Sequence, residues 1–408
     1  MKMANGFLPV VGCVILALAT PETARASRRG PATVADFREC ARARIEAIRA
    51  TPNREVPPGT KAYYISEKHG DDAADGSSAH PWKTLAFATS RDFLDDGDEI
   101  ILKRGQHDIR NVITVSKGLH VHGEGEREDT VLDANYGNNN SAFWYFEITG
   151  KGALVNNVTF SRFGHTSGDR LIRLNADAVI SNVVVRNCGV EGAVYSGVTV
   201  DMQAGLFTHS FVSNNVAGYC AGVSMDGDST MENCAILYNR SIGNYNQGAA
   251  LRLPHSIGRR TVRNCTIVGN TFAKTDNAAI YGYAWETSKE SAHLYNNIVW
   301  GNTCTTAGAI HPNANNYSGQ KWFVKNNCWD YDAAGKLQDP DGGTDYGNVN
   351  ADPQFDTVHG GVPLLSLPSP CRNKGDDEYA TKSDVDIMGG KRRVGRHIDI
   401  GCAEATPS

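Results

Sequence analysis

The chain has 408 residues, a formal net charge of −5 and a pI near 6.2. This length is ample for a large core. No cluster of Lys and Arg forms a stripe, so a nucleic-acid partner has no electrostatic support.

The N-terminus reads Met1-Lys2, an apolar run from Phe7 to Ala19, then Ala24-Arg25-Ala26. This is the pattern of a signal peptide over residues 1–26, cut before Ser27, and it predicts a secreted, extracellular or cell-surface protein. The run is too short to span a bilayer, and no other segment is long and apolar enough to do so. Residues 27–60 read as a basic linker, a helix over Val34–Ala50 capped by Thr33, and a second linker. The helix has Val34, Phe37, Ala41, Ile45 and Ile48 on one face and its arginines mostly elsewhere, as on a solvated surface.

Residues 61–135 read as an N-terminal cap with the first, irregular strands. AYYIS is a strand, GDDAADGSS an acidic loop, and PWKTLAFA a short helix starting near Pro81. Asp71, Asp72 and Asp75 with Gly76 offer oxygen ligands of the kind calcium takes, although the loop lacks a full set and also reads as a plain Asp/Gly turn.

Over residues 136–332 one pattern recurs. TVRNCTIVGN, from Thr261, is its clearest copy; MENCAILYNR, HLYNNIVWGN, VISNVVVRNC, ALVNNVTFSR, LFTHSFVSNN and FVKNNCWD are the others. Each copy is marked by Asn157, Asn182, His209, Asn233, Asn264, Asn296 or Asn326, at intervals of 24 to 32 residues, within the range that signals a solenoid. Residues one and three after the mark form the inward face of a short strand: Val158/Phe160, Val183/Val185, Ser210/Val212, Cys234/Ile236, Cys265/Ile267, Asn297/Val299 and Asn327/Trp329. Asn and Gly close these strands because they tolerate left-handed backbone. Midway to the next mark lies a second strand: RLIRLN, SGVTVD, AGVSMD, AALRLP, AAIYGY or AGAIHP. One such turn cannot bury its own apolar side, so copies must stack, which predicts an all-β parallel β-helix. A monomer is the expected state.

Nine cysteines remain after cleavage, an odd number for an oxidising compartment. Cys234 and Cys265 occupy the same inward position in successive copies and should stack. Cys371 and Cys402 flank the C-terminal segment and are the expected disulfide. No C-x-x-C occurs, and no metal site is expected from the cysteine spacing.

The order YYIS, GDD-x-x-DGSS, PWKTLAFA, DGDEIILKRG and LHVHGEG resembles the N-terminal entry of secreted bacterial right-handed parallel β-helix proteins of the pectate-lyase-like superfamily. Residues 333–408 resemble the closing segment of the same proteins through ADPQF at Ala351, SPC at Ser369 and DIGCAE at Asp399. The resemblance implies a short helical cap over the open end of the coil. It also implies an extracellular polysaccharide as partner, since the superfamily includes polysaccharide lyases and polygalacturonase-like hydrolases; the closing segment often precedes a surface anchor. No catalytic motif of the family matches residue by residue, and the architecture carries several unrelated functions.

Equivalent residues of stacked rungs form ladders about 4.8 Å apart. Aligning the second strands by their wording gives an outward row of Arg173, Thr199, Ser224, Arg252, Tyr281 and His311. The row two residues on is Asn175, Asp201, Asp226, Pro254, Tyr283 and Asn313. Asp201 and Asp226 then lie on neighbouring rungs between Arg173 and Arg252, with Tyr245, His255, Tyr281 and Trp285 in or beside the strip. Side-by-side carboxylates push one pKa upward, which makes an acid beside a base, as glycoside hydrolysis needs. A lyase would instead need a basic group and cations or calcium to neutralise a uronate carboxylate, for which Arg173, Arg252, His255 or Lys274 are the candidates. The catalytic candidates are Asp201, Asp226 and Arg252; the substrate-binding candidates are Arg173, Tyr245, His255, Tyr281 and His311. Three readings stay open: a lyase or glycoside hydrolase, a non-catalytic carbohydrate-binding or adhesion protein, and a structural passenger for another protein.

Overall fold

In the computed structural model the described residues are those of 60–405 apart from 137–144, 165–169, 192–196, 244–248, 255–257, 274–278, 283–289, 305–313, 317–320, 330–346, 360 and 381–383. The signal peptide, the Val34–Ala50 helix, Tyr245, His255, Lys274, Tyr283, Trp285 and His311 lie outside them. So does all of AGAIHP; the strand that pairs at that level is Ala314–Asn316.

The strands form parallel sheets of ten, nine, eight and four strands, in which each strand pairs with its counterpart one turn earlier and one turn later. That is a parallel β-helix, as the repeats require. One rung illustrates the path: Val179–Ser181 in the ten-stranded first sheet, Val184–Arg186 in the nine-stranded second, then Val198–Met202 in the eight-stranded third. A four-stranded ribbon, Val216–Ala217 to Thr303–Cys304, joins the second sheet to the third on the later rungs.

The marker residues make the corner between first and second sheets. All seven adopt left-handed backbone, from φ 50° at His209 to φ 56° at Asn296. Asparagine tolerates this region better than other side-chain-bearing residues, which is why it recurs there. After each marker the two inward residues are buried at every rung, from Val158 and Phe160 to Asn327 and Trp329. Phe160, Val185, Val212, Ile236, Ile267, Val299 and Trp329 are register partners in one continuous stack. Each such side chain contributes about 1.5–3 kcal/mol by burial.

Two features differ from the sequence reading. The strand before each marker is an element of its own, so a rung has three principal strands rather than two. The coil also starts before residue 136: among the first strands expected within residues 61–135, Ala62–Ile65 and Glu99–Leu102 already belong to the ten-stranded sheet. All four residues of Glu99–Leu102 are buried, so its sequence lacks the alternation that marks a half-buried strand.

The helical cap is Leu85–Thr89, with Thr84 as N-cap and Leu85 and Ala88 in the main core. The acidic loop before it behaves as turns. Asp71 Oδ1 accepts from Ala73 N and Asp75 Oδ1 from Ser77 N, while Asp72 accepts from the Lys83 and Thr84 amides, each at 2.8–3.0 Å.

The closing segment meets the last strand at Val349, which bridges to Cys328, and then turns back along the coil. It runs down the outside of the second sheet, where Val362, Ile387, Cys402 and Ala403 pack on Val184, Phe211, Ala235 and Leu237. The marker column receives it: Asn264 donates to Tyr379 O, Asn296 to Asp376 O, Asn326 to Lys374 O, and the His209 ring meets Val385 O. Cys234 and Cys265 stack as expected, with side chains in hydrogen-bond contact. The expected Cys371–Cys402 disulfide is not formed; both thiols are free, and Cys371 lies against Cys328 instead.

Candidate functional site

The third sheet carries the charged row. Along Val198–Met202, Val200 and Met202 point into the core, so Asp201 points outward. Its register partners are Arg173 on one side and Ser224 on the other, and the row continues through Arg252, Tyr281 and Asn315, with Glu147 before Arg173. The observed row is therefore Glu147, Arg173, Asp201, Ser224, Arg252, Tyr281, Asn315.

This corrects the alignment expected from the wording of the strands. Thr199 is not in the row, and Asp201 stands two positions from its expected place; His311 lies outside the described residues, and Asn315 is the register partner of Tyr281. Asp201 and Asp226 are not register partners: Met202 pairs with Met225, and Asp226 lies just beyond the strand end. The physical reason is the period of two, since a slip of two residues keeps every side chain on its own face and leaves no trace in hydropathy. A bulge adds to the difficulty. Cys220–Met225 holds an extra residue against both neighbours, around Ala221 and Gly222. Glycine is required there, because a Cβ on Gly222 would lie 1.9 Å from the Ala250 carbonyl oxygen.

Even so, the two carboxylates meet through a residue the sequence reading passed over. Gln203 Nε2 lies 3.1 Å from both oxygens of Asp201 and 3.3 Å from Asp226 Oδ2. Asp201 is also the anchor for two arginines: Arg170 Nε at 2.7 Å and Arg173 Nε at 3.4 Å. Arg173 reaches back to Glu147 Oε1 at 3.3 Å. Burial raises the Asp201 pKa and the Asp226 charge adds to the rise, while Arg170, Arg173 and Gln203 oppose it.

Exposure separates the roles. Asp201 is 1% exposed, whereas the Arg170 side chain is 46% and the Arg173 side chain 21% exposed. Asp226 and Arg252 are half-buried. Arg252 has its guanidinium 3.5 Å from Ser224 Oγ and 5.9 Å from the Tyr219 ring centroid. Tyr281, the next residue in the row, is 2% exposed. The face thus presents three arginines and one carboxylate, braced from beneath by Glu147 and Asp201. Such a face can hold an anionic polymer by charge-assisted hydrogen bonds. The missed members were Glu147, Arg170 and Gln203; in RLIRLN the alternation that puts Ile172 and Leu174 inward gives Arg170 the same parity, so hydropathy carried no outward signal for it.

No family model matches the chain, and no curated protein matches it. Several solved structures do. Pectate lyase Pel9A is 16% identical with TM-score 0.44, over 87% of this chain and 98% of its own. A rhamnogalacturonan lyase is 14% identical with TM-score 0.40, over 73% and 91%. Pectin methylesterase PemA from Erwinia chrysanthemi is 15% identical with TM-score 0.40, over 68% and 91%.

Proposed function

We propose that the protein is secreted, binds a uronate-bearing polysaccharide along the outer face of the third sheet, and cleaves it at Asp226. The observation that carries this reading is the pair Arg170 and Arg173, both held on one buried carboxylate beside a second, more exposed one. Arg170, Arg173 and Arg252 engage the polymer's carboxylates, and Asp226 moves the proton of the bond-breaking step. Asp201 is a positioning residue here: it fixes two guanidinium groups and, through Gln203, the place of Asp226.

The test is a panel of pectin, alginate and neutral glucans in affinity gels, with ultraviolet absorbance of unsaturated ends and a reducing-sugar assay run in parallel. Acidic polymers should retard the protein and neutral ones should not, with binding weakening as salt rises. Asp226→Asn should lower turnover at least about 100-fold with binding intact. Retardation by no acidic polymer sinks the proposal. One observation favours a second reading, a non-catalytic binder: Asp201 is buried and already engaged by Arg170, Arg173 and Gln203. Retained binding with silence in both activity assays would select it.

A further inference from the structure

On a different face, near the N-terminal end of the coil, three buried side chains that the polysaccharide reading does not use converge. Glu99 and His120 are register partners on adjacent strands of the first sheet, and His122 follows two residues after His120 on the same strand. Ile100, Leu102 and Val121 point into the core, so Glu99, His120 and His122 share the outer face. All three are buried, at 3%, 0% and 8% exposed.

The distances suit a shared cation better than hydrogen bonds. His120 Nδ1 lies 3.8 Å from Glu99 Oε1, and His122 Nε2 lies 3.7 Å from Glu99 Oε2. Hydrogen bonds between such groups fall at about 2.7–3.2 Å. Two donor atoms bound at about 2.0–2.1 Å to one tetrahedral ion stand roughly 3.3–3.5 Å apart. One ligand atom from each of the three residues lies within 4.8 Å of the others. The imidazole rings stack at 4.4 Å, which aligns their edges toward the carboxylate.

The surroundings point the same way. His120 Nε2 is 2.9 Å from Asn156 Oδ1; the tautomer that donates to this acceptor carries its proton on Nε2 and turns the Nδ1 lone pair toward Glu99. Metal-binding histidines are held in this manner, the distal N–H donating to an oxygen. Asn156 is supplied by the next rung, as register partner of His122. Both ring nitrogens of His122 lack a hydrogen bond among the described residues although the residue is buried, a costly state unless something else satisfies the group.

We propose that Glu99, His120 and His122 bind a divalent transition-metal ion of the zinc class, with Asn156 as the positioning residue for His120. Two imidazoles and one carboxylate suit such an ion. Calcium and magnesium take oxygen sets, and Cu(I) takes thiolates. The ion clamps the Glu99–Leu102 and His120–Gly123 strands and stabilises the first rungs. The site is independent of the arginine row, so the two proposals stand or fall separately.

The experiment uses the full secreted chain without a polyhistidine tag, stripped with a chelator and desalted. Zn²⁺ is titrated against a chromophoric competitor, metal content is measured by mass spectrometry, and Co²⁺ is added as a spectroscopic probe. One Zn²⁺ per chain is expected, with a higher thermal midpoint in its presence. His122→Gln should abolish stoichiometric binding, and Asn156→Ala should weaken it about 10–100-fold. If His122→Gln does not fold, the wild-type Co²⁺ spectrum decides: nitrogen-donor ligand-field bands support the site, and an aquo-ion spectrum overturns it. Absence of stoichiometric zinc in the wild type, or equal binding by a folded His122→Gln, also overturns it.

Discussion

At Asp201 burial and charge act in opposite directions, and the balance defines what the residue does. A carboxylate this deep would lose its charge in isolation, yet Arg170, Arg173 and Gln203 all favour the ionised form. Replacing it with asparagine removes the anchor of two guanidinium groups while keeping the shape. Asp201→Asn should therefore weaken uronate binding roughly tenfold, about 1.4 kcal/mol, through lost ordering. Affinity electrophoresis reads this directly, and an unchanged affinity would show that the arginines do not depend on it. His293 shows burial acting nearly alone. It stacks on Phe323 at 4.5 Å, and burial, with repulsion from Arg259 and Arg260, lowers its pKa to about 4 from 6.5. The folded state thus resists a proton that the unfolded chain accepts. The stabilisation is complete above pH 6.5 and is lost as pH falls toward 4. His293→Gln should flatten the fall in urea midpoint across that window, and a parallel fall in variant and wild type would contradict the assignment. Among the site residues, Arg173, Asp201 and Arg252 were legible because each stands at an outward position between apolar ones. Gln203 and Glu147 were not, because nothing in a neutral strand end or a lone acid announces its neighbour one rung away.

At the scale of elements, the rungs are held in line by polar ladders as well as by the apolar stack. Asn215, Asn239, Asn270 and Asn302 are buried at the strand ends of the second sheet, and the first three side-chain amides each donate to the carbonyl oxygen of the next side chain at 2.9–3.0 Å. Each side-chain oxygen also takes the backbone N–H of the preceding member, as Asn270 Oδ1 does from Asn239 N at 2.9 Å. A half-satisfied ladder is costly, since each buried orphan costs about 1–3 kcal/mol. Asn270→Ala removes the acceptor of the Asn239 backbone N–H and of one of its two side-chain N–H groups, the other staying on Val212 O, and should destabilise by about 2–4 kcal/mol. Urea unfolding measures it, and a loss below about 0.5 kcal/mol would mean water replaces the ladder. The repeat itself was legible in the marker asparagines, whose left-handed backbone leaves a residue-type signature. The register of the third sheet was not, because SGVTVD and AGVSMD invite an alignment that differs from the true one by two residues and leaves both faces unchanged.

For the whole molecule, the closing segment is a clasp along the side of the coil, and one buried ion pair fastens it. Arg392 is fully buried and donates to Glu404 Oε1 at 2.7 Å, Asp399 O at 3.0 Å and Gly401 O at 2.6 Å. Asp399 in turn accepts from the Asn373 and Ala405 amides, so the DIGCAE stretch forms a closed knot. Its wording was recognisable in the sequence, but its docking face was not, because the outward residues Val184, Phe211 and Leu237 read there as ordinary surface apolar positions. Arg392→Ala leaves Glu404 buried without its cation and should cost about 3–5 kcal/mol. In a solenoid that loss stays local, since each rung touches only its neighbours. Amide exchange should therefore quicken across Asp384–Ala405 and the strands beneath it. Exchange in Glu99–Leu102 and His120–Gly123, at the far end of the first sheet, should be unchanged. Uniform quickening along the whole coil would instead mean that the clasp and the rungs unfold as one cooperative unit.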